Sequence, residues 1–213
     1  MVSVLLIAGT AAAVLDEVPP QRQRPYLFPP QELGLLESPD RDAWQRPNEI
    51  MDALNIADGS TVADFGAGGG WFAIRLARRV GPNGRVYAVD FRPPMIDALE
   101  RRVVREGLSN VVTVVATPSD ARLPPRQVDA IVVVNSYGAL PAPVPLLRSL
   151  ARSLRPRGRL GIVGFVPSGG GPGPPLRDRI DPARVVRDAR AAGLRLHARV
   201  EVPPYQYLLV LGR

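Results

Sequence analysis

Asp64-Phe65-Gly66-Ala67-Gly68-Gly69-Gly70-Trp71 is the stretch on which the fold turns. It follows a short apolar run, Thr61-Val62-Ala63-Asp64-Phe65, that reads as a buried strand. It precedes Trp71 to Val80, where Ile74, Leu76, Ala77 and Val80 recur at helical spacing. Glycines let the chain turn sharply and let backbone approach a ligand. The helix behind them offers unpaired N–H groups and the positive end of a dipole. Two registers compete. As a dinucleotide fingerprint, Gly66-x-Gly68 meets Trp71 where the third glycine should stand. A start at Gly68 fits as Gly68-x-Gly70-x-x-Ala73 but gives Asp64 no part. Asp64-x-Gly66-x-Gly68-x-Gly70 uses both the acid and the alternating glycines. The bland alternative is a glycine turn with no ligand.

Outward from the loop, strands and helices alternate. Arg85 to Asp90, Val111 to Ala116, Val128 to Val134 and Leu160 to Val166 are predicted strands. Between or beside them lie predicted helices over Pro93 to Leu108, Val144 to Leu154 and Asp181 to Ala192. The last two strands, Leu194 to Val202 and Tyr205 to Leu211, are joined only by Pro203-Pro204. So short a connection permits only an antiparallel pair. The expected fold is α/β: one doubly wound, seven-stranded sheet, mostly parallel, with one antiparallel C-terminal strand.

The 213 residues suit one compact domain. There is no cysteine, no lysine and a single histidine, His197. That excludes disulfides, thiolate nucleophiles, Cys-ligated metals and any multi-histidine site, so no metal is expected. It also excludes a Walker phosphate loop, a Schiff base and a Tyr/Lys dehydrogenase dyad. His197 alternates with Leu196 and Ala198 and reads as a strand residue. The net charge of +7 comes entirely from arginine. The arginines are scattered and not interleaved with aromatics, so they read as a compositional habit and nucleic acid is disfavoured as a partner.

Residues 1–17 form a first segment, with an apolar run from Val2 to Leu15 that is short for a membrane span and lacks a basic start. It reads equally as an export signal or as an element docked on the domain. The protein is then exported or membrane-associated in the first case, cytoplasmic in the second. Residues 18–58 hold a proline-rich stretch and a helix from about Asp40 to Leu54 with a break near Pro47. Residues 59–213 are the core.

With Asp64-x-Gly66-x-Gly68-x-Gly70 as motif I, the chain resembles the class I S-adenosylmethionine-dependent methyltransferases. Asp42-Ala43-Trp44-Gln45-Arg46-Pro47, Gly84 to Asp90, Leu154 to Leu160 and Pro204-Tyr205-Gln206-Tyr207 make it similar to a bacterial branch near the quinone-biosynthesis C-methyltransferases. The resemblance implies a cofactor, S-adenosylmethionine, and a small-molecule or lipid-like methyl acceptor. It implies that Asp64, Gly66, Ala67, Gly68 and Gly70 shape the cofactor pocket. It places Asp90 and Phe91 at the ribose, Ser119 and Asp120 near the adenine, and Asn135 at the methyl end. Asp90 also reads as a helix cap, and Asp120 as a loop cap. Asp129 is read as structural. Asn135 and Tyr137 are the catalytic candidates, because the end of the fourth strand faces the methyl group in this fold. An Asp and a His are expected near there in the branch; Asn135 and Gly138 depart from that. A cofactor-binding protein without turnover and a nucleic-acid methyltransferase are the alternatives. Trp71 and Phe72 either wall the cofactor or face the core. Tyr205 and Tyr207 either line the acceptor side or pack. Gly169 to Pro175 reads as a lid or a linker.

Overall fold

The computed structural model describes residues 38–213; the expectations for residues 1–37 lie outside them. Two short helices, α1 (Arg41–Gln45) and α2 (Pro47–Ala53), come first. They are separated at Arg46, whose φ of 47° breaks the helix just ahead of Pro47. The core then runs β1 (Thr61–Phe65), α3 (Trp71–Val80), β2 (Arg85–Asp90), α4 (Pro93–Arg105), β3 (Val111–Val115) and β4 (Val128–Val134). It continues through α5 (Pro143–Ser153), β5 (Leu154–Phe165), α6 (Pro182–Ala191), β6 (Arg195–Val202) and β7 (Gln206–Gly212).

The strands lie in one sheet, in the order β3-β2-β1-β4-β5-β7-β6. β1 to β5 pair in parallel, and β7 runs antiparallel to both β5 and β6. This is the expected fold class. Burial explains why the strands read as they do. β7 is buried at every position and β4 at all but Asp129, so both are near-continuous apolar runs. Of the edge strands, β3 is half-buried and β6 largely exposed, and they carry Thr, Arg, His and Glu. His197 is exposed on β6, where the ladder to β7 shifts register.

Two apolar layers cover the faces. One packs α5 and α6 through Leu146, Leu150, Val185 and Ala189. The other packs α2, α3 and α4 through Ile50, Leu76, Val80 and Leu99. Trp71 and Phe72 belong to this second layer, at 6% and 3% exposure, so both face the core.

Two boundaries differ from the sequence reading by more than one residue. Helix α4 stops at Arg105, because Gly107 turns left-handed at φ 65° and Leu108 N–H reaches back to the Val103 carbonyl at 3.1 Å. Strand β5 starts at Leu154 instead of Leu160. Its irregular pairing with β4, from Val128↔Leu154 to Ala130↔Arg159, absorbs Pro156 and Gly158 as a bulge.

Candidate active site

The sheet order reverses direction between β1 and β4, and the two strand ends open a crevice at their carboxyl side. β1 delivers Asp64 there. Phe65 is followed by Gly66, Gly68 and Gly70, all left-handed at φ 78°, 54° and 86°. Gly66 must be glycine for a second reason: a Cβ would sit 2.5 Å from Ser136 Oγ. Gly70 would collide with Leu99 of α4. The loop is tied to β2, since Gly66 and Ala67 N–H both donate to the Val89 carbonyl, at 2.8 and 3.0 Å.

Asp64 is 2% exposed, and its Oδ2 has no hydrogen-bond partner among the described residues. Burial pushes its carboxyl up to about 7, against the pull of the Arg41 guanidinium and the Ala73 N–H at the start of α3. Arg41 comes from α1 and lies 4.0 Å from the Trp71 ring centroid. Asp90 ends β2 and is fully buried. Its Oδ2 accepts from Gly68 N–H at 3.1 Å, and its Oδ1 from Arg92 N–H at 3.0 Å. The Arg92 guanidinium adds one bond to each oxygen, from Nε at 3.1 Å and Nη2 at 3.2 Å.

At the end of β4, Asn135 is exposed, with φ at 56°. Its carboxamide closes a ring of three. Asn135 Nδ2 donates to Gln45 Oε1 at 3.0 Å, Gln45 Nε2 to Gln206 Oε1 at 2.7 Å, and Gln206 Nε2 to Asn135 Oδ1 at 2.7 Å. Gln45 and Gln206 are 0% and 2% exposed. The ring joins the α1 segment, β4 and β7 across the mouth of the crevice. Tyr137 lies two residues on, yet turns into the α5–α6 layer. Its hydroxyl donates to Asp188 at 2.7 Å, and burial with that carboxylate holds it protonated far above the usual tyrosine range. Tyr207 also packs, donating to the Ile180 carbonyl at 3.0 Å.

On the β2–β3 side, Phe91 is half-buried against the core and Ser119 is exposed. Asp120 Oδ1 accepts from Arg122 N–H at 2.9 Å and from Ser149 Oγ at 2.7 Å, contacts that lower its carboxyl. It therefore closes its own loop onto α5. Asp129 lies at the far end of the sheet and accepts from Thr61 N–H at 2.8 Å and Arg155 Nη1 at 2.6 Å.

The fold thus brings Asp64, the glycine loop, Asp90 and Asn135 to one crevice and turns Tyr137 away from it. Sequence reasoning did not single out Arg41, Gln45, Arg92 or Gln206 as site residues. Gln206 had one signal: it is a carboxamide in the otherwise apolar and aromatic run of β7. A cleft of 520 Å³ between α1, α2 and α3 is separate; its arginines are paired, Arg46 with Glu49 at 2.9 Å and Arg75 with Asp42 at 2.7 Å.

The family described as "Methyltransferase domain" matches residues 62–158, from β1 into β5. A solved structure of a SAM-dependent methyltransferase from Aquifex aeolicus superposes with a TM-score of 0.82 at 28% identity, covering 87% of this chain and 98% of that one. Residues 62–158 thus match a methyltransferase domain, and the fold is that of the class I S-adenosylmethionine-dependent methyltransferases. The chain is also 31% identical over 137 residues to the nocamycin O-methyltransferase of Saccharothrix syringae, 64% of this chain and 47% of that protein. It is 28% identical over 110 residues to the demethylmenaquinone methyltransferase of Geobacillus kaustophilus, 52% of this chain and 47% of that one. The chain spans about half the length of these curated relatives. The cofactor of the family is S-adenosylmethionine. Among the described residues no helix is long and apolar enough to cross a membrane.

Proposed function

We propose that this chain transfers a methyl group from S-adenosylmethionine to a small-molecule or lipid-like acceptor. The observation that carries the reading is the pair of buried carboxylates, Asp64 and Asp90, set on either side of a left-handed glycine loop. A buried carboxylate oxygen without a partner costs stability, and a cationic ligand group removes that cost. Asp64 Oδ2 suits the ammonium of the cofactor's methionine part. Gly66, Ala67, Gly68 and Gly70 keep side chains out of the ligand's path. Asp90 takes the ribose hydroxyls. Phe91 lies beside Asp90 at the ribose, and Ser119 and Asp120 border the adenine.

Bound there, S-adenosylmethionine supplies the electrophile, a methyl group on a positively charged sulfur. The chain's own task is then positioning. Asn135 meets the acceptor with a neutral carboxamide whose orientation Gln45 and Gln206 fix. Tyr137 packs and takes no part as a base, since its hydroxyl keeps its proton and donates it in a hydrogen bond to Asp188. The acceptor therefore brings a lone pair or carbanion that needs little help from a protein base. The small-molecule class is supported by the names of the nocamycin and demethylmenaquinone relatives.

Isothermal titration with S-adenosylmethionine and S-adenosylhomocysteine tests the reading. Binding in the micromolar range supports it; a folded protein that binds neither at millimolar concentration sinks it. Asp90→Ala should weaken binding about tenfold or more. An unchanged affinity removes Asp90 from the site. A second reading, cofactor binding without turnover, is favoured by one observation: both ends of the Asn135 amide are already engaged within the protein. Binding without label transfer from radioactive cofactor to lysate and lipid extracts selects it.

A further inference from the structure

A carboxylate offers about four acceptor sites, two on each oxygen. On Asp90 all four are filled. Gly68 N–H and Arg92 Nη2 occupy Oδ2, and Arg92 N–H and Arg92 Nε occupy Oδ1. The two backbone donors belong to the folded loop and stay with it. The two guanidinium bonds belong to one side chain, which is 25% exposed. If that side chain leaves, one site opens on each oxygen. A pair of neighbouring N–H groups has then made way for a pair of neighbouring acceptor sites, which is what the two hydroxyls of a cis-diol require.

We infer that the Arg92 fork stands in for a ribose diol on Asp90, and that a nucleoside ligand binds by displacing it. The inference rests on the cofactor reading above and adds a residue that works against cofactor affinity. The pairing with Arg92 keeps both oxygens of the buried carboxylate satisfied. A ligand with both ribose hydroxyls replaces the two guanidinium bonds one for one. The side chain then turns to solvent, beside Phe91, whose ring it already faces at 5.8 Å. Because only the fraction of molecules with Arg92 withdrawn is competent, the apparent affinity falls by that fraction. The flanking sequence allows this. Pro93 and Pro94 start α4 without N–H groups, and α4 is anchored by the Arg92 carbonyl, which accepts from Met95 N–H at 3.0 Å, not by its side chain. The helix therefore keeps its start when the guanidinium moves.

The experiment is a binding titration of wild type, Arg92→Ala and Arg92→Lys with S-adenosylhomocysteine, with circular dichroism to confirm folding. Arg92→Ala should bind about five- to tenfold more tightly than wild type. It should also melt at a lower temperature without ligand and gain more from ligand than wild type does. Arg92→Lys keeps the charge but loses the fork, so it should shift affinity the same way by less; it carries the test if the alanine variant does not fold. Adenosine and 2′,3′-dideoxyadenosine, followed by NMR shifts, read the diol itself. The gain in Arg92→Ala should appear with adenosine and vanish with the dideoxy compound. Equal or weaker binding by folded variants overturns the proposal, as does a gain that persists without the hydroxyls. If neither wild type nor variants bind S-adenosylhomocysteine or adenosine, the cofactor reading falls and takes this one with it. If wild type binds and the variants do not improve, only the role of Arg92 falls.

Discussion

Asp64 holds a carboxyl group where water does not reach, and its behaviour follows from that. Burial pushes it up to about 7, whereas an unfolded aspartate titrates near the ordinary value of 3.8. The folded state therefore binds the proton more tightly than the unfolded state. The stability this confers is fully present below about pH 4 and is lost as pH rises through about 7. A cationic ligand group reverses the preference, because it favours the carboxylate. Affinity for S-adenosylhomocysteine should then rise with pH between about 6 and 8, with proton release on binding below about 7. Titration in buffers of differing ionisation heat reads both. Asp64→Asn should flatten the pH dependence and weaken binding. A flat profile in wild type would place the titrating group elsewhere. The acid itself was legible in the sequence from its place ahead of the alternating glycines. Its protonation was not, since that depends on burial and on Arg41, the Ala73 N–H and Asp90 meeting around it.

The amide ring belongs to the scale of elements. Its three members come from α1, the end of β4 and the start of β7, 161 residues apart at the extreme. Each carboxamide gives one hydrogen bond and takes one around the ring, so reversing one would require reversing all three. The ring therefore fixes how the α1 segment sits on the sheet and which way Asn135 presents its amide. Gln206→Leu removes one member and leaves a donor of Gln45 and an acceptor of Asn135 unpaired. It should cost about 1–3 kcal/mol by chemical denaturation. It should also expose the α1–α2 linkage at Arg46 to limited proteolysis sooner than the core. A loss well under that range would mean the two remaining amides pair with water instead. Sequence reading found the elements but not this contact. The break at Pro47 and the alternation of strands are local patterns, whereas the partner of Gln206 is set by the order of strands in the sheet. Tyr137 shows the same limit. It stands two residues from Asn135, but the one-turn 3₁₀ segment Tyr137–Ala139 rotates it toward α6 and Asp188. The loop over Gly169 to Pro175 is fastened by Arg179, which donates to the Val166, Gly170 and Pro174 carbonyls at 3.0, 3.2 and 3.1 Å.

At the scale of the whole molecule, the net charge of +7 invites nucleic acid, and the fold distributes it otherwise. Arg46, Arg75, Arg78, Arg79 and Arg155 each pair with a carboxylate of the same chain. Surface pairs of this kind add little stability, but they cancel the local field that would hold a phosphate backbone. Binding to duplex DNA or RNA should be weak, sequence-independent and lost by about 0.15 M salt in a fluorescence anisotropy titration. Tight binding that survives that salt would revive the nucleic-acid alternative. The sequence by itself determined the doubly wound sheet, the antiparallel last strand and the chemistry excluded by the missing lysines and cysteines. It could do so because periodicity, glycine turns and residue absence are properties of neighbours along the chain. The tertiary structure alone decided that Asp64 Oδ2 lacks a partner among the described residues, that Arg92 fills Asp90 and that Asn135 sits in a ring of amides. Those facts depend on which strand ends meet at the crossover between β1 and β4, and on how little water remains there, neither of which is written in local order.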